Sequence, residues 1–203
     1  MSKKSKRTII GSNLAFNDLL FNVLVGFVML FVIAFLLINP ITKKSDIPNK
    51  AEFLIVLTWP STAADDVDLW VQRDSSKPVG FSNRELTPLH LDRDDLGRTN
   101  DKVIINGVEK VIQTNRETIT IRGIVPGDYF VGVHYYSRTT TLEPLPYTVT
   151  VMKVNPYREL YSISGELNTK REKQRLPAFT VDKLGNVEEI FTHYRDIVPE
   201  TGG

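Results

Sequence analysis

From Leu19 to Ile38 the chain is almost purely apolar, LLFNVLVGFVMLFVIAFLLI, and an acid, Asp18, stands at its head. About twenty residues in a helix rise about 30 Å, enough to cross the hydrocarbon core of a bilayer. No other arrangement of such a segment hides its backbone polar groups from lipid so simply. Keeping a carboxylate charged at the edge of that core costs a few kcal/mol unless a partner or a proton relieves it. Asp18 therefore has two readings. It carries an ion, or it ends the hydrophobic segment at the headgroups, where a helix N-terminus favours negative charge.

The segment's punctuation fits a helix. Ser12 or Asn13 can cap it and Pro40 can stop it. Asp18, Asn22 and Gly26 recur every fourth residue, which places them on one face. A narrow polar and small stripe on a greasy helix suits a buried protein neighbour. The run is longer than a secretory h-region, and no small-residue cleavage site follows it, so it reads as a retained anchor. Lys3, Lys4, Lys6 and Arg7 precede it, while Lys43 and Lys44 after it are followed by Asp46. This asymmetry favours a cytoplasmic N-terminus and a periplasmic or extracellular remainder.

The formal charge of the 203-residue chain is +1, so no basic field points to nucleic acid, and with no cysteine the chain has neither disulfides nor thiolate metal sites. His90, His134 and His193 match no metalloprotease spacing, and no GxSxG or nucleotide-binding loop is present. Catalysis is not expected.

Phe16-Asn17-Asp18-Leu19-Leu20-Phe21, after a short basic tail and before a single apolar helix, resembles the anchor of the ExbD/TolR/MotB family. The resemblance implies the inner homodimer of an ion-driven motor of the bacterial inner membrane. A ring of ExbB/TolQ/MotA-like multi-span subunits, in the family a pentamer, would surround it. Asp18 would carry H⁺ or Na⁺, with Asn22 and Gly26 on the same face. Each proton crossing 100 mV supplies about 2.3 kcal/mol, enough to bias packed states of a bundle.

Pro40 to Lys50, PITKKSDIPNK, reads as an extended linker, and from Ala51 the chain turns to strands. Glu52 to Trp59 is rich in β-formers. Val67, Leu69 and Val71 alternate with Asp66, Asp68, Trp70 and Gln72, as in a half-buried strand. Thr118 to Arg122, Tyr129 to Tyr135, Tyr147 to Val154, Leu160 to Leu167 and a pair joined at Asp182–Asn186 follow. His134 falls opposite the apolar face of its strand and reads as a surface or packing residue. The fold class is a single N-terminal transmembrane α-helix followed by an all-β sandwich. Its expected organisation is a tail over 1–12, a helix over 13–39, a linker over 40–51, a sandwich over 52–197 and a flexible tail over 198–203.

Asp66-Val67-Asp68-Leu69-Trp70-Val71, Leu91-Asp92-Arg93-Asp94, Glu117-Thr118-Ile119 and Pro126-Gly127-Asp128-Tyr129 onward to Tyr136 resemble, in order, the YfaP-type β-sandwich domains. Trp70 stands where that pattern usually has His. The resemblance implies an envelope domain and no reaction. It differs from the outer domains of MotB, ExbD and TolR, so the periplasmic or cell-wall target would be the chain's own.

Asp66 and Asp68 share a strand side, and Asp92, Asp94, Asp95, Asn100 and Asp101 crowd a loop-like stretch. Oxygen-rich clusters suit Ca²⁺, with Asp66, Asp68, Asp92 and Asp94 as its ligands; otherwise the same side chains bond turn backbones and pair with Arg73, Arg93 or Arg98. Tyr135, Tyr136, Tyr147 and Tyr157 form a glycan-binding surface or belong to the sheets. Two functions follow from different classes: an ion-driven stator subunit, or a passive tethered binding module.

Overall fold

The computed structural model describes residues 7–38, 50–97, 101–139, 144–192 and 194–200, with side chains of the first segment from 13 to 37. The chain divides into two compact units, Met1–Ile47 and Pro48–Gly203. The basic residues Lys3, Lys4 and Lys6, most of the expected linker, Asn100 and His193 lie outside the described residues.

The first unit is one helix, α1 (Arg7–Ile38). It starts about a turn and a half before the expected caps at Ser12 and Asn13. The stretch Asn13–Leu37 is 25 residues long and apolar enough to cross a membrane.

The second unit is a β-sandwich. A six-stranded antiparallel sheet contains β1 (Ala51–Thr58), β3 (Glu85–Leu86), β4 (Leu89–Arg93), β7 (Arg116–Arg122), β9 (Leu145–Lys153) and β10 (Arg158–Leu167), in the order β10-β9-β1-β7-β4-β3. A four-stranded sheet contains β2 (Asp66–Arg73), β8 (Gly127–Ser137), β11 (Lys173–Val181) and β12 (Val187–Phe191), in the order β12-β11-β8-β2. A separate ribbon joins β5 (Lys102–Ile105) to β6 (Val108–Val111).

Alternation explains the layers. Phe53, Ile55 and Leu57 on β1 face Val67, Leu69 and Val71 on β2 and Tyr129, Val131, Val133 and Tyr135 on β8 within one core cluster. Side chains two apart share a face, so each of these strands contributes every second residue. Phe179 stacks on Tyr129 at 5.4 Å, and Phe53 lies 5.9 Å from Phe179, linking the sheets through aromatic rings.

The expectation of a half-buried β2 is corrected. Its outer face is covered as well: Trp70 packs with Phe130, Ala178, Ile197 and Val198 in a second cluster. Phe81 meets the Trp70 ring edge-on at 5.4 Å. Gly80 makes that approach possible, since a Cβ there would lie 2.5 Å from the indole. The C-terminal stretch therefore belongs to the domain through Val198, whose carbonyl accepts a bond from Lys173 Nζ at 2.9 Å. The expected flexible tail does not begin at that residue.

Candidate functional site

Asp18 is the one charged side chain between Asn13 and Leu37. It stands immediately before the apolar run that begins at Leu19, within α1. Asn22 and Gly26 follow on successive turns, spanning about 80° of the helix surface. Gly26 has nothing within 4 Å of where a Cβ would stand. The stripe is thus an open face of carboxylate, amide and bare backbone, flanked by Leu, Val and Phe. Such a face lets another helix approach closely and offers it hydrogen bonds.

The acidic residues of the sandwich lie at the end where Thr58 pairs with Arg116 and Asp66 with Ser137. Their centre is Glu117 on β7, which is buried. Its Oε2 accepts the Leu69 amide at 2.6 Å, and its Oε1 accepts the Asp95 amide at 3.3 Å. Because β2 is the edge of its sheet, Leu69 N–H has no strand partner there, and the carboxyl of the facing sheet takes that place. Burial, then the Asp68 charge, holds Glu117 well above the ordinary carboxylate range, against the pull of the Leu69 amide.

Asp68 projects from the opposite side of β2 to Leu69 and meets His134 of β8, its Oδ2 lying 3.0 Å from His134 Nδ1. Both side chains are almost wholly buried, at 3% and 2% exposure. Of the two roles open to His134 from the sequence, surface or packing, the structure has the packing one, with Nδ1 spent on the acid two strand positions from Asp66. Burial raises the Asp68 carboxyl despite the imidazole bond. Asp66 is pushed up to about 7, first by burial and then by the charges of Asp68, Asp94 and Asp95. Among the described residues, its buried Oδ1 has no hydrogen-bond partner.

The four expected calcium ligands are not assembled as a set. Asp66, Asp68 and Asp94 are electrostatic neighbours, but Asp92 belongs elsewhere. Its carboxylate holds Arg122, accepts from Thr120 Oγ1 at 2.5 Å and lies 3.0 Å from His90 Nδ1. Asp94 lies 3.7 Å from Arg84, and Asp95 accepts from Arg93 at 2.8 Å and from the Arg116 amide at 3.1 Å. Among the described residues, no group of three or more His, Asp or Glu side chains is placed to hold a metal ion. The register explains the split. Leu91 faces the core and Asp92 leaves the sheet on the other side, but the register against β7 shifts between Leu91 and Arg93, where β4 ends, so Asp94 does not follow Asp92.

The tyrosines do not form one platform either. Tyr135 and Tyr147 are core residues, whereas Tyr136 is exposed on β8 and Tyr157 is exposed in the turn between β9 and β10. Sequence reasoning passed over Asp65, which is buried and accepts from Tyr135 Oη at 3.0 Å and from the Thr139 amide at 2.7 Å. It also passed over the β5–β6 ribbon, although Asn106-Gly107 between apolar runs is a strong hairpin signal.

No protein-family model, no curated protein and no solved structure matches this chain.

Proposed function

We propose that this chain is the inner, dimeric subunit of an ion-driven machine, with α1 in the bacterial inner membrane, its N-terminus cytoplasmic and its sandwich in the periplasm. The observation that carries the reading is Asp18: the one charged side chain between Asn13 and Leu37 of a helix apolar enough to cross a membrane, standing at the head of its apolar run. A charge in that position needs a partner from outside the chain or a proton. The Asn22 and Gly26 stripe on the same face supports a protein neighbour over lipid.

The mechanism is a change of protonation. A carboxylate favours its charged form when water reaches it and its neutral form when it is sealed in apolar surroundings. A ring of multi-span ExbB/TolQ/MotA-like subunits around two copies of α1 would offer wet and sealed positions in turn. Loading of H⁺ (or Na⁺) from one side and release to the other then biases which face of α1 packs against the ring. The sandwich transmits that motion to a periplasmic or cell-wall target.

Copy number tests the architecture. Purification of the tagged chain from native membranes is expected to bring a multi-span partner in ring stoichiometry with two copies of this chain, read by native mass spectrometry. Recovery of a monomer without a membrane partner would leave a passively tethered binding module in its place.

A further inference from the structure

We propose that the outer edge of β5 is a contact between two copies of this chain, centred on Ile104. The proposal concerns the sandwich and does not rest on Asp18 carrying an ion; it shares with that reading only the presence of two copies.

The β5–β6 hairpin stands apart from both large sheets. Its ladder runs Lys102↔Val111, Val103↔Lys110, Ile104↔Glu109 and Ile105↔Val108, around Asn106 and Gly107 at φ 53° and 77°. These angles are those of a two-residue type I′ turn. Every residue of both strands is exposed, Ile104 to 79%. Val103, Ile105, Val108, Val111 and Ile112 are open too, so both faces of the ribbon are apolar. A lone two-stranded ribbon is marginal in water, and an apolar one invites another strand.

The backbone says which residues offer that strand a ladder. In a two-residue hairpin the pair flanking the turn is hydrogen-bonded, and bonded and non-bonded pairs then alternate. Ile105/Val108 and Val103/Lys110 bond to each other, in phase with the Ile112 amide on Asp101 O at 2.9 Å. Lys102 and Ile104 therefore turn their N–H and C=O outward from β5, and Glu109 and Val111 turn theirs outward from β6.

Charge chooses the occupant and the edge. Two identical strands that pair antiparallel about a twofold axis place one residue opposite its own mate, because opposed side chains share a face. On β6 the central outward residue is Glu109, and this register sets Glu109 against Glu109, a like-charge pair that is destabilising. Val111 is the last residue of β6, so a register centred there runs out of the strand. On β5 the central residue is Ile104. Ile104 then meets its mate, Val103 meets Ile105, and Lys102, already held by Glu109 at 2.9 Å, meets the neutral Asn106. The product is a four-stranded sheet, β6-β5-β5-β6, across two copies.

The chain has no cysteine, so single-cysteine variants of the full chain report the contact directly in membranes. Opposed hydrogen-bonded residues lie about 5.5 Å apart at Cα, within disulfide range. Mild oxidation is expected to convert Ile104→Cys into a covalent dimer several-fold more efficiently than Lys110→Cys on the other edge or Leu184→Cys at a remote exposed turn. Val103→Cys and Ile105→Cys on differently tagged copies are expected to join each other in preference to themselves. An Ile104→Cys chain that stays monomeric, or a Lys110→Cys chain that cross-links equally well, overturns the proposal. So does strong quenching of a fluorophore on Ile104→Cys by nitroxide lipids, which would make the bilayer the occupant. The cross-link needs no ion flux and is expected to survive Asp18→Asn, so its failure and a failure of the ion reading are separate results.

Discussion

Glu117 of one sheet accepts the Leu69 amide of the other at 2.6 Å, which makes a single buried carboxyl the clasp across the open end of the sandwich. Removing it strands the amides of Leu69 and Asp95 inside the protein. Each unsatisfied buried donor costs about 1–3 kcal/mol. Glu117→Ala is therefore expected to lower the unfolding free energy in urea by about 2–4 kcal/mol. Glu117→Gln, which keeps one acceptor, is expected to lose less.

The acidic cluster gives the domain an unusual pH dependence. Asp66 is raised from 3.8 to about 7, so its folded pKa lies above its unfolded one. The folded state binds the proton more tightly, and its stabilising share is complete below about pH 4 and is lost as pH rises through 7. Asp68 and Glu117 are raised as well and push in the same direction. Melting temperature is expected to fall between about pH 4 and about pH 7. Asp66→Asn is expected to flatten that fall and to raise the melting temperature at pH 8.

Asp68 and His134 test the buried pair. Removing one partner of a buried, hydrogen-bonded pair typically costs about 3–5 kcal/mol, because the other is left uncompensated. His134→Ala is expected to destabilise the domain by this order, and the double variant with Asp68→Ala to cost less than the two single losses added. A cycle with no coupling would show that the 3.0 Å contact contributes nothing.

Gly80 answers to Trp70. A Cβ at Gly80 would stand 2.5 Å from the indole, so Gly80→Ala must displace the ring from its place against Phe81. Overpacking of this kind costs about 1–3 kcal/mol. The expected signature is a changed near-ultraviolet circular dichroism spectrum and a lower melting temperature, with far-ultraviolet signal retained.

Much of this architecture is legible in the chain itself. The apolar run with its single acid gives α1, and period-two alternation in Val67-Leu69-Val71 and Tyr129-Val131-Val133-Tyr135 gives the two facing sheets. Alternation shows which side chains share a face but says nothing of what lies beyond it. Trp70 and Asp68 therefore read as the open side of a half-buried strand, whereas Trp70 packs with Ile197 and Val198 and Asp68 is buried against His134. The acidic site failed in the same way. Sequence nearness groups Asp92 with Asp94, while the register shift at the end of β4 leaves Asp92 on Arg122 and Asp94 among the electrostatic neighbours of Asp66 and Asp68. Glu117, which organises that end, gave no local signal, because its partners are 48 and 22 residues away.

Asp18 is the point at which the functional account is most exposed. The measurement is ion uptake into vesicles made from native membranes under an imposed potential, comparing the native chain with Asp18→Asn at equal abundance and equal recovery of the co-purifying membrane partner. The account predicts that Asp18→Asn abolishes uptake while Asp18→Glu retains part of it. Undiminished uptake with asparagine at this position would contradict it.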